Sequence, residues 1–203
     1  MNTGIIATEL KQHAPFTTFG TLTGIVIMAL FVQLSISREI SSFLFWTLHP
    51  AHVLLSAFVT ASMYRLHAKG GISGTILTGY FGAIGIATLS DSLIPYVGEW
   101  LLDLPHRGLH LGFIEKWWLV NPLALAGISL AFLWPSTKFP HAGHVFLSTW
   151  ASLFHVLMAL GSSPDVVTTV LVAVFLFLAV WVPCCTSDII FPLLWMKKEK
   201  SFP

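Results

Sequence analysis

Six predominantly apolar stretches, at 17–36, 43–64, 74–97, 117–134, 142–160 and 166–196, constrain this chain more than any other feature. A helix needs about 20 apolar residues to cross the hydrocarbon core of a bilayer. Backbone in lipid must satisfy its own hydrogen bonds, which leaves helices or closed barrels, and runs this long without strict alternation indicate helices. The predicted fold is an all-α integral membrane protein with six transmembrane helices, its partner the lipid bilayer. Composition agrees: 55% of residues are hydrophobic and 9% charged, where a soluble domain carries about 25% charged residues. A net charge of +1 supplies no basic surface for phosphates, so no nucleic-acid partner is expected. Residues 1–16 hold Glu9, Lys11 and His13 rather than a basic segment, a short apolar run and a cleavage site, so no removable signal peptide is expected. Cys184 and Cys185 are adjacent, and neighbours rarely bridge, so they report no redox compartment.

Charge sets an orientation. With six spans, Lys11, Arg65, Lys69, Lys138, Lys197, Lys198 and Lys200 fall on one side of the membrane, and Arg38, Arg107 and Lys116 on the other. The positive-inside rule then predicts that the N-terminal segment 1–16 and the tail 197–203 are both cytoplasmic, in a cell or inner membrane. Residues 98–116 become an extracytoplasmic loop. Glu99, Asp103, His106, His110 and Glu115 make the stretch 96–116 either a capture vestibule for a cation or a solvated loop with an interfacial helix. Trp100, Trp117 and Trp118 suit the aromatic belt at the interface.

The two halves of the chain resemble each other. His49-Pro-Ala-His52-Val-Leu-Leu-Ser56-Ala-Phe-Val-Thr60 aligns with His141-Ala-Gly-His144-Val-Phe-Leu-Ser148-Thr-Trp-Ala-Ser152, identical at five of twelve positions including both histidines. Ser90-Asp91 followed by Pro95 matches Ser187-Asp188 followed by Pro192, and Leu22-Thr-Gly24-Ile25 matches Leu125-Ala-Gly127-Ile128, in the same order. Residues 17–97 and 117–196 are therefore read as two three-helix repeats. An odd number of spans per repeat inverts the second one, the arrangement in which many transporters place substrate at the repeat interface. Gly79, Gly82 and Gly85 make a small-residue packing seam on the third span, and Asn121-Pro122 is a point where the fourth span can break.

Residues three or four apart share a helical face. His49, His52, Ser56, Thr60 and His67 form one polar stripe, and His141, His144, Ser148, Ser152 and His155 another. Such lines are costly against lipid and should face the bundle interior. By depth, the stripes predict two clusters: His49, His52, Asp91 and His155 toward the outside, and His141, His144, Asp188 and His67 toward the cytoplasm. Imidazole with carboxylate suits a divalent transition metal, Zn²⁺, Fe²⁺, Mn²⁺, Ni²⁺ or Co²⁺. Cys184, four residues before Asp188, offers a softer ligand to the inner cluster or simply fills space. Ser90 and Ser187 are expected to brace the neighbouring aspartates, and Ser56 and Ser148 to line a path or allow close helix packing.

Four functions fit this pattern. The first is a transporter or channel that moves a divalent transition metal along the histidine and aspartate path, alone or in exchange for protons. The second is an intramembrane metalloenzyme, a hydrolase or oxidoreductase acting on lipid, with His49, His52 and Asp91 as ligands and one position open. The third is a haem-binding electron-transfer subunit with His52 and His155 as axial ligands. The fourth is a structural subunit of a larger complex, its histidines bridging helices by hydrogen bonds.

Overall fold

The computed structural model of the chain describes residues 3–68, 71–136, 138–161 and 164–185, without the side chains of 3–13, 67–68, 138–142 and 185. Every element among them is helical: α1 (Thr3–Gln33), α2 (Arg38–Met63), α3 (Ile72–Thr88), α4 (Ile94–Leu101), α5 (Gly112–Glu115), α6 (Trp117–Leu133), α7 (Lys138–Ala159) and α8 (Val166–Cys185). A π-helical turn, Tyr64–Ala68, extends α2, and another, Leu89–Leu93, joins α3 to α4 without a break. Four helical segments are long and apolar enough to cross a membrane: Ala14–Gln33, Arg38–Leu66, Ile72–Leu101 and Val166–Cys184. The fourth and fifth predicted spans correspond to shorter apolar helices, Trp117–Leu133 and Gly143–Ala159. The first of these stops before Pro135, because a proline disfavours helical backbone in the residue preceding it.

The pattern of exposure is that of helices solvated by lipid. Phe19, Leu22, Val26 and Leu30 line the outside of α1, and Val167, Val170, Val174 and Leu178 the outside of α8. Ser41, His49, His52, Ser56 and Thr60 of α2 are buried instead. In water, this exchange of apolar surface for a polar interior would be unfavourable; in a bilayer, it keeps the polar groups away from lipid and gives the apolar ones an acyl-chain environment.

Helix α2 lies at the centre, packed on α3, α6 and α7, while α7 also packs on α1 and α8, α1 on α8, and α3 on α6. Phe45 meets His155 and His52 meets His144, so α2 and α7 run antiparallel. Gly79 faces Ala61 and Ile128 closely, as a packing seam requires, but Gly85 has nothing within 4 Å, so the predicted seam stops short of it. Nor does Asn121-Pro122 break α6, which runs through both residues; helices in lipid tolerate an internal proline. At the end of α6, Arg65 donates to the Ala131 carbonyl at 2.6 Å and lies over the Phe132 ring, supplying a cation to the helix C-terminus. Asp165 accepts the Thr168 N–H at 2.7 Å and caps α8. Hydrogen bonds from the Thr168 side chain and backbone hold the Asp165 carboxyl below its ordinary value.

Candidate functional site

The site begins with a local irregularity. Pro95 has no N–H to give to the carbonyl of Asp91, four residues earlier, so an α-helical turn cannot close there. The chain takes a wider π-helical turn instead, in which Ile94 N–H bonds to the Leu89 carbonyl, and Ser90, Asp91 and Ser92 are all buried within it. Such turns recur at functional positions in helices. Prolines also adjoin the other contributors: Pro50 follows His49 in α2, and Pro183 precedes Cys184 in α8.

Asp91 is fully buried and surrounded by donors. Its Oδ2 accepts from His49 Nδ1 at 2.9 Å and from His52 Nδ1 at 2.7 Å. Its Oδ1 accepts from the hydroxyls of Ser90 at 2.6 Å and Ser148 at 2.9 Å. Ser152 in turn donates to the Ser90 carbonyl at 2.8 Å, tying α7 to the π-helical turn. A carboxylate has about four lone-pair sites, and four donors fill them. With Nδ1 donating, a neutral imidazole carries its remaining lone pair on Nε2.

Asp91, read from the sequence as a metal ligand, has both oxygens occupied by these four donors. His52 Nε2 is buried and has no hydrogen-bond partner among the described residues. The ring of His144 stacks on that of His52 at 5.7 Å, with planes 15° apart. Ligand atoms of His52, His144 and Cys184 all lie within 4.8 Å of one another, each residue buried. Val145 and Val180 pack around Cys184.

Two separate clusters at opposite depths are thus replaced, for the described side chains, by one. His144, expected near the cytoplasm, sits against His52, expected in the outer half. The physical reason is the antiparallel contact of α2 and α7: His52 lies near the middle of α2, so the facing part of α7 is level with it. Asp188 lies outside the described residues, and the side chains of His67 and His141 are likewise outside the description.

His155 also has a different partner from the one expected. Its Nδ1 hydrogen-bonds to Glu99 Oε1 at 2.6 Å, not to Asp91. Glu99 belongs to α4 rather than to a solvated loop, is 1% exposed, and also accepts Gly108 N–H at 3.2 Å. It lies eight residues beyond Asp91, close to two helical turns; continuing the face of Asp91 into 94–101 would have found it. His155 Nε2, like His52 Nε2, is buried without a hydrogen-bond partner among the described residues. Toward the surface, His110 lies 5.3 Å from His155, ring to ring, with its Nδ1 3.3 Å from Glu115 Oε2.

The result is a column of imidazoles. From partly exposed His110 it passes to His155, then across Phe45, whose ring is edge-on to His155 at 5.3 Å and stacked on His49 at 5.4 Å. It continues through Asp91 to His52, His144 and Cys184. Buried Ser56 and Thr60 prolong the α2 stripe beyond His52. At the surface end Gly112 covers His49, and a Cβ at that position would collide with Nε2 of the ring.

The Glu99–His155 pair yields a first expectation. Glu99→Ala strips an acceptor from buried His155 and from the half-buried Gly108 N–H, and should destabilise the protein by about 2 kcal/mol, read from denaturant unfolding in detergent. Glu99→Gln, which keeps one carbonyl oxygen, should recover part of that loss. Equal stability of all three proteins would show that the pair contributes nothing.

No family model, no curated protein and no solved structure matches this chain.

Proposed function

We propose that the protein is a membrane transporter or channel that moves a divalent transition-metal ion along the imidazole column, with proton exchange as an accompanying step. The single observation that carries this reading is the continuity of the column, from His110 near the surface to Cys184 in the interior. Imidazoles recur along the column, with the single apolar ring of Phe45 between His155 and His49, so an ion has nitrogen donors on either side of that step. Two of these stations, His52 and His155, have Nδ1 on a carboxylate and Nε2 without a hydrogen-bond partner among the described residues. This is how metal-ligating histidines are commonly oriented. Imidazole protonates near neutral pH, which provides a means of exchanging an ion for protons.

The reading includes six spans in two inverted repeats with both termini cytoplasmic. Helix α6, with 17 residues, reaches about 25 Å, and α7, with 22, about 33 Å, against a hydrocarbon core of about 30 Å. Exchanging α1 with α6, α2 with α7, and α3–α4 with α8 turns the α1–α7 contact into α6–α2, α1–α8 into α6–α3, and α2–α3 into α7–α8, all of which occur. The α2–α7 contact maps onto itself, as it would on a twofold axis in the membrane plane.

The test is uptake of Zn²⁺ into proteoliposomes containing an internal metal-sensitive dye. His52→Ala and His144→Ala should each lower the flux tenfold or more. Unchanged flux in both would falsify the transport reading.

A three-donor set also suits an intramembrane metalloenzyme, in which a bound metal activates water at an open position. The grouping of His52, His144 and Cys184 favours it; a cavity of about 260 Å³ lined by Phe31, Ser41 and Leu157 lies apart from these residues. Lipid turnover by purified protein that carries no metal across liposomes would support the enzyme. Haem is less well accommodated, since Phe45 and His49 fill the space between His155 and His52.

A further inference from the structure

We infer that His52, His144 and Cys184 form one binding station for a Zn²⁺-class ion, with two imidazole nitrogens and one thiolate as ligands and Asp91 as a positioning residue outside the ligand set. The inference rests on the transport reading for what the ion does next; the station itself is argued from its own geometry.

Three observations converge on it. The three ligand atoms come from three helices, α2, α7 and α8, and lie within 4.8 Å of one another. In a tetrahedral zinc site, donors about 2.0–2.3 Å from the metal sit less than about 4 Å apart, so modest side-chain movement closes the set. His52 Nε2 is fully buried without a hydrogen-bond partner among the described residues, on the ring edge opposite the one bound to Asp91. Leaving a buried polar nitrogen unsatisfied is costly, and a metal ion satisfies a lone pair where no donor does. Finally, the four donors around Asp91 occupy its oxygens, so an ion at His52 meets nitrogen and sulfur rather than carboxylate.

This donor set narrows the substrate class. Oxygen-rich sites take Mg²⁺, Ca²⁺ and Mn²⁺, whereas imidazole with thiolate suits Zn²⁺ and its tetrahedral surrogate Co²⁺. The station therefore discriminates against Mn²⁺, which the sequence pattern alone admitted. Three protein ligands leave a fourth position for water or for the next donor in the column, as a site that must release its ion requires.

Co²⁺ added to the purified, detergent-solubilised full chain tests this. A thiolate ligand gives an intense sulfur-to-cobalt charge-transfer band in the near ultraviolet. The band is expected in the wild-type protein and in Cys185→Ser, and is lost in Cys184→Ser. His52→Ala and His144→Ala should weaken Co²⁺ binding by roughly ten- to a hundredfold. Should Cys184→Ser not fold, zinc-edge X-ray absorption of the wild-type protein decides instead, with one sulfur at about 2.3 Å expected beside nitrogen neighbours. A cobalt complex without the band, a band that survives Cys184→Ser, or a zinc shell without sulfur overturns the station. The two proposals fail separately. Zinc flux that depends on His52 and His144 but shows no sulfur ligation removes the station and leaves transport; Cys184-dependent ligation in protein that carries no ion removes transport and leaves the station.

Discussion

Asp91→Ala is expected to destabilise the protein by about 3–5 kcal/mol, the range found when one partner of a buried ionic or hydrogen-bonded set is removed. Four donors lose their acceptor together: two imidazole N–H groups and two hydroxyls, on α2, α7 and the π-helical turn. Bulk solvent does not reach them, since His49, His52, Ser90 and Ser148 are all essentially inaccessible. Hydrogen bonds between membrane helices are individually modest, averaging about 0.6 kcal/mol, because the unfolded chain in lipid also finds partners. Asp91 should exceed that average because four donors converge on one carboxylate and lose their acceptor at once.

Asp91→Asn separates this structural role from the role toward a metal. The amide keeps the size of the carboxylate and one acceptor oxygen for the serines, but presents N–H groups to His49 and His52. To accept from that amide, His52 must move its hydrogen from Nδ1 to Nε2, which takes away the lone pair the proposed station uses. Stability should therefore fall less than in the alanine variant, while Co²⁺ affinity falls roughly ten- to a hundredfold, the usual effect of losing the group that orients a ligating histidine. Nitrogen NMR of labelled histidine reads the tautomer directly. An Asn variant that binds Co²⁺ as tightly as wild type, with Nδ1 still carrying the hydrogen, would refute the orienting role.

Much of this was legible in the residues, and what was not has identifiable causes. Spacing of three and four placed His49, His52, Ser56 and Thr60 on one face, and all four are buried. The matching stripe brought out His144, Ser148, Ser152 and His155, also buried. Periodicity reports which face turns inward but not how far one helix slides along its neighbour. His144 and His52 were therefore assigned to opposite depths when they stack. Partner choice was hidden for a second reason. His155 pairs with Glu99 because α4 continues the membrane helix beyond the π-helical turn, whereas ending the span at 97 puts Glu99 in the loop 98–116. Cys184 was noticed as a softer ligand but grouped with Asp188, its neighbour in sequence; spatially, its neighbours are His52 and His144.

Gly127→Ala should cost about 3 kcal/mol, at the upper end for overpacking, although alanine in a helix interior ordinarily gains up to about 1 kcal/mol over glycine. A Cβ at Gly127 would collide with the main-chain carbonyl of Leu54 and press on Ala57 and the Phe58 nitrogen. A side chain could rotate away; a backbone carbonyl cannot, so α6 must withdraw from α2. That movement pulls on the helix that carries His49 and His52. On the other side of the bundle, a Cβ at Gly20 meets the Thr149 hydroxyl at 3.0 Å and Phe146 at 3.4 Å, both side-chain contacts that can yield. In the repeat alignment Phe146 and Thr149 correspond to Leu54 and Ala57, so Gly20 stands toward α7 as Gly127 does toward α2. Gly24, matched to Gly127 by sequence, lies one turn further along in ordinary contact with Leu153. Under the inverted-repeat proposal, then, α1 is shifted by a turn relative to α6. The series Gly85→Ala, Gly24→Ala, Gly20→Ala and Gly127→Ala should lose stability in that order, from no loss to the full 3 kcal/mol or so. Detergent-denaturant titration of the four variants ranks them; a Gly127→Ala protein as stable as Gly85→Ala would mean that α6 does not rest on the backbone of α2.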